Sequence, residues 1–138
     1  MKQVQVELVS LADTAKLTRA ALVKAFPGIK LMVRRKPTVF GDCIGISWGT
    51  SWLTTNERMP DTGPMREIAE RYCNHHDSEG GFNRLHWLFP DGSSKFAMLV
   101  DHGRRTDSVM VSERDIPEGA RLVLFASNRI ETSLYHTR

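Results

Sequence analysis

No stretch of this 138-residue chain approaches the roughly 20 continuous apolar residues that a membrane span needs, so no membrane partner is expected. The first ten residues, MKQVQVELVS, alternate polar and apolar side chains and lack the apolar block and small-residue cleavage site of a signal peptide. A cytosolic protein is the expectation. Cysteine is scarce: Cys43 and Cys73 are too few and too far apart for a disulfide framework, and in a reducing cytosol they read as free thiols. There is no nucleophile elbow, no glycine-rich phosphate loop and no HExxH pair, so no reaction and no cofactor is named by motif. No internal repeat and no low-complexity tract is present.

Against these absences, an apolar content of 41% is enough for one real core, and the length fits a single domain over 1–138. The net charge of +3 conceals an asymmetry. Residues 1–36 hold eight Lys/Arg against Glu7 and Asp13, a net of +6, and residues 37–138 hold eleven against fourteen acids, a net of −3. A positive end on a slightly acidic body sets up a directional field that favours an anionic partner.

Residues 2–9 alternate, with Val4, Val6 and Leu8 on one face, as a half-buried strand does. Ser10 with Asp13 three residues on fits a capping box, and Leu11, Ala15, Leu22 and Phe26 recur at helical spacing as a core face. Leu17 and Val23 fall on other sides of that helix and offer a second contact surface. Pro27–Gly28 ends it. A basic strand follows, Lys30–Lys36, with Leu31 and Val33 on one face and Met32 and Arg34 on the other. A turn over Pro37–Asp42 leads to a strand with Ile44, Ile46 and Trp48 buried. Residues 49–62 read as a long loop, and Gly63–Pro64 opens a second helix with a Met65, Ile68, Ala69, Tyr72 stripe running out near His76. Four more strands form a C-terminal β meander over 82–126, with turns at Pro90–Ser93 and Pro117–Gly119, and the polar last ten or so residues read as frayed. The order β-α-β-β-α-β-β-β-β implies an α+β fold, two helices on a mainly antiparallel sheet, with a helix-strand-strand-helix part over 10–77.

The run Asp13-Thr14-Ala15-Lys16-Leu17, Arg19-Ala20-Ala21-Leu22 and Ala25-Phe26-Pro27-Gly28, followed by a basic strand and Ile44-x-Ile46-Ser47-Trp48, resembles one of the large polyvalent-protein-associated domains of phages and conjugative elements. That family has helix-strand-strand-helix order, a Trp-rich second strand and a Gly-Pro helix start, supplied here by Gly63–Pro64. The chain departs from it in two ways: about a dozen extra residues, Ser51–Thr62, precede Gly-Pro, and the glycine-rich turn is reduced to Gly41. The resemblance covers roughly residues 11–72. It implies an accessory protein of a mobile element and carries no catalytic residues, because the family has no catalytic signature. It points to an anti-defence role against a restriction or CRISPR nucleoprotein.

Lys30, Arg34, Arg35 and Lys36, with Arg19 and Lys24 on the adjoining helix, are the candidate contacts to nucleic acid or a host nucleoprotein complex, since clustered cations release counterions from phosphates. Trp48 and Trp52 are candidates for base stacking. The 49–62 loop presents Trp52 and Arg58, residue types common at interface anchors, to a possible protein partner. The alternative is a metal site or small enzyme: Cys73, His76 and Asp77 at helical i, i+3, i+4 spacing, or Cys43 or Cys73 paired with His86 or His102.

Overall fold

The computed structural model of the chain describes residues 1–38, 41–51, 62–75, 80–101 and 106–137. In order, the elements are β1 (Lys2–Val9), α1 (Leu11–Ala25), β2 (Lys30–Thr38), β3 (Gly41–Ser51), α2 (Thr62–Ala69), a 3₁₀ turn (Glu70–Tyr72), β4 (Phe82–Leu88), β5 (Ser94–Asp101), β6 (Ser108–Val111), a second 3₁₀ turn (Glu113–Asp115), β7 (Arg121–Phe125) and β8 (Arg129–Thr137). The fold is α+β. The strands form a five-stranded sheet, β5-β4-β7-β1-β6, and a three-stranded sheet, β2-β3-β8. Neighbours run antiparallel except β1 with β7 and β3 with β8.

Helix α1 joins the two sheets. Ser10 caps it by accepting from the Asp13 N–H at 3.1 Å, and Gly28, with φ of 84°, lets the chain reverse after Phe26. Leu11, Ala15, Leu22 and Phe26 pack with Leu31, Ile44, Ile46 and Trp48 of the smaller sheet. Leu17 and Ala21 pack with Val9, Leu88, Val123 and Phe125 of the larger one. The second contact surface foreseen for this helix thus exists on its Leu17 side, whereas Val23 stays 45% exposed. Its most buried positions include two threonines that an apolar pattern misses. Thr14 donates to the Ser10 carbonyl and Thr18 to the Thr14 carbonyl, each at 2.7 Å, which satisfies hydroxyls that have no access to water.

Several sequence expectations need correction. The last residues are not frayed: β8 runs parallel to β3 from Cys43↔Arg129 to Ser51↔Thr137. Its lead-in is held by Ser127, whose hydroxyl donates to the Arg129 carbonyl, and by Asn128, whose N–H donates to the Asp42 carbonyl at 2.9 Å. The C-terminal strands do not form a meander, because β1 lies between β6 and β7 and pairs with both. Of the expected face of β1, only Val4 and Val6 are covered, each partly. Leu8 is 73% exposed and Val9 turns instead toward α1.

The expected 49–62 loop is shorter at both ends, since Gly49–Ser51 extend β3 and Thr62 already belongs to α2. The second helix stops at Ala69, and Cys73 is extended rather than helical. What pulls the chain out of the helix is Asn74: its N–H donates to the Ser127 carbonyl, its side chain donates to the Phe125 carbonyl, and its own carbonyl accepts from the Arg84 N–H. The Met65, Ala69 and Tyr72 stripe is buried as expected, with Ile68 partly so.

Candidate functional site

The basic strand β2 is an outer strand of the three-stranded sheet, and its register divides its charges between two faces. Leu31, Val33 and Arg35 share a face with Trp48, Ile46, Ile44 and Ile130, which is the core side. Lys30, Met32, Arg34 and Lys36 share the other face with Ser47, Gly45, Cys43, Glu131 and Arg129. Trp48 is fully buried, so it is a core residue and no stacking platform.

The open face contributes to a cleft of about 760 Å³ whose lining also takes in Ile46 and Ile130 from the core side, Arg66 of α2, Glu70 of the 3₁₀ turn after it, and Cys73 and His75 beyond. Arg34, Lys36, Arg66 and Arg129 supply four positive charges against the carboxylates of Glu70 and Glu131, a net of +2. The floor carries no side chain where the middle strand contributes Gly45. A side chain there would collide with Lys36, whose Cδ lies 2.9 Å from where a Cβ would stand. Without one, Lys36 crosses β3 and reaches Glu131 at 3.1 Å. Glu131 also pairs with Arg129. These contacts hold the Glu131 carboxyl below its ordinary range, Lys36 first and then Arg129, and the Arg129 guanidinium is raised chiefly by its hydrogen bond to Glu131. Arg66 pairs with Glu70 at 3.0 Å. Arg34 has no ion-pair partner among the described residues.

The cluster expected from sequence is therefore only partly assembled. Arg34 and Lys36 line the cleft, and Lys30 lies on the same face of β2, opposite Gly49. Arg35 is on the opposite face. Lys24 acts on Asp91 in the β4–β5 turn, and Arg19 is exposed on α1; neither lines the cleft. Trp52 and Arg58 lie outside the described residues, as do His76, Asp77 and His102. Sequence reasoning missed Arg66, Glu70, Arg129 and Glu131. The signals were present: an Arg-Glu pair at i, i+4 on a helix, and an Arg-x-Glu pair whose period of two puts both on one strand face.

The alternative chemistry does not take shape around the cysteines. Cys73 is buried and donates to the His75 carbonyl at 3.4 Å, and burial pushes its thiol up to about 11. Burial also raises the Cys43 thiol, with Glu131 adding to it. Both stay protonated near neutral pH and are poor nucleophiles. The helical spacing invoked for a metal is lost at Cys73, and among the described residues no group of three His, Cys, Asp or Glu side chains is placed to hold an ion. His86 is buried between Phe125 and Phe96, with ring centroids 5.4 and 6.2 Å away, and its Nδ1 has no hydrogen-bond partner among the described residues. Among the described residues no helix is long and apolar enough to cross a membrane. In comparison with known proteins, the chain matches no family model, no curated protein and no solved structure.

Proposed function

We propose that this chain binds nucleic acid, free or within a host nucleoprotein complex, through the cleft floored by Gly45 and flanked by Arg34, Lys36, Arg66 and Arg129. The observation that carries the reading is that these four cations, drawn from β2, α2 and β8, line one cleft. The backbones of β2 and β8 stand two strand spacings, about 10 Å, apart, and their cations, with Arg66 of α2, present more than one anion position: Lys36 and Arg129 meet at Glu131, while Arg34 and Arg66 stand outside that pairing. That arrangement exceeds one phosphate and suits successive phosphates of a strand. Apart from the His75 imidazole, no aromatic side chain of the described residues lines the cleft. Recognition is then of the backbone and tolerant of sequence, with affinity dominated by counterion release.

The likeness of residues 11–72 to a polyvalent-protein-associated domain supports a narrower version, in which the protein is an accessory factor of a phage or mobile element. Its target would be a nucleoprotein of the bacterial host, such as a restriction or CRISPR complex.

Titration of labelled single-stranded and duplex oligonucleotides, followed by fluorescence anisotropy at about 50 and 200 mM salt, tests the core proposal. Binding at the lower concentration that weakens steeply at the higher supports it. No binding at the lower concentration, or binding indifferent to salt, overturns it. Pull-down from a bacterial lysate with and without nuclease tests the narrower version: capture of a defence nucleoprotein supports it, and capture of bulk nucleic acid alone refutes it.

A further inference from the structure

We infer that Glu131 stands in the place of a ligand phosphate, as a built-in competitor that keeps the cleft closed to single anions and lets only polyanions displace it; this rests on the nucleic-acid reading above. Three observations converge. Glu131 is the only carboxylate among the described lining residues that accepts from two cations on two different strands, Lys36 at 3.1 Å and Arg129. The contact to Lys36 crosses the whole middle strand, and it is permitted because the residue beneath it is Gly45. The arrangement is also accessible: Lys36, Arg129 and Glu131 side chains are 53%, 57% and 34% exposed, so a ligand reaches them without unfolding anything.

A carboxylate bridging a lysine and an arginine offers the charge and forked acceptor geometry that a phosphate would offer. A lone phosphate that displaces it gains two contacts and loses two, so the exchange is near balance. A nucleic-acid strand also engages Arg34, which has no ion-pair partner among the described residues. That further contact tips the exchange toward displacement. Glu131 thus sets selectivity for length of the anion at the expense of affinity. The arrangement predicts a specific mutant phenotype, tighter binding on loss of a side chain that lines the binding cleft.

The test is anisotropy titration of the wild-type protein, Glu131→Gln and Glu131→Ala with a labelled single-stranded oligonucleotide across a salt series. Inorganic phosphate serves as competitor, and thermal melting confirms that each variant is folded. Loss of two exposed ion pairs corresponds to an affinity gain of roughly three- to tenfold for both variants. The slope of log affinity against log salt steepens by about 0.7, as removal of one carboxylate raises the net positive charge of the cleft by one. Phosphate competes better against the variants than against wild type. Oligonucleotide binding that is equal or weaker in both folded variants overturns the role of Glu131 and leaves the nucleic-acid reading intact. Absence of binding in all three proteins at low salt overturns both.

Discussion

Acid should loosen this fold through one residue. His86 is 2% exposed, its Nδ1 has no hydrogen-bond partner among the described residues, and it is enclosed by the rings of Phe125 and Phe96. Desolvation, with the nearby Arg84 adding to it, lowers its pKa from 6.5 to about 4. The folded protein therefore refuses a proton that the unfolded chain accepts. Above the unfolded value both states are neutral at this site and it contributes no pH dependence. As pH falls from about 6.5 to about 4 the unfolded state binds the extra proton, so stability declines across that window and levels off below it. At about 1.4 kcal/mol per unit the loss amounts to about 3 kcal/mol. Urea unfolding of wild type and His86→Leu between about pH 7 and pH 4 isolates the term, because other titrating groups contribute alike to both proteins. The wild type should lose about 3 kcal/mol more than the variant over this range. Parallel pH profiles would refute the assignment of a neutral, desolvated histidine.

Two further substitutions probe the cleft and the core beneath it. Gly45→Val places a branched side chain where Lys36 now crosses, so the Glu131 carboxyl should titrate at a higher pH than in wild type by carbon-detected NMR, and an unchanged titration contradicts the crossing path. Trp48→Ala should destabilise by about 3–5 kcal/mol in denaturant unfolding, as expected for a fully buried indole. A loss below about 1 kcal/mol would mean that the ring is a surface feature.

Elements with strong local signals were readable from sequence, and elements defined by partners were not. The period of helix α1, its Ser10 cap and the Pro27–Gly28 stop are local, and they appear where expected. The alternation in β2 also separated Arg34 from Leu31 and Val33 correctly. Strand β8 escaped notice because its sequence, RIETSLYHT, is mostly polar, and what makes it a strand is parallel pairing to β3, a contact remote in sequence. With β8 unseen, Arg129 and Glu131, two of the six charged groups of the cleft, could not be joined to the site. The helix end at Ala69 was set by Asn74 bonding to residues beyond 120, again a non-local cause. Thr14 and Thr18 show the complementary failure, since polar side chains satisfied by their own helix occupy core positions without an apolar signature.

The central claim is geometric: the cations that matter face the cleft, and cations equally near in sequence do not. Arg34 and Arg35 are neighbours on β2 that point to opposite faces. The decisive measurement is oligonucleotide affinity of Arg34→Glu and Arg35→Glu at matched low salt, each checked for an unchanged thermal melt. The account predicts that Arg34→Glu weakens binding by at least about tenfold, through loss of a phosphate contact and added repulsion, while Arg35→Glu stays within about threefold of wild type. Equal losses in both variants would show a diffuse charge effect and would contradict the cleft as the binding site.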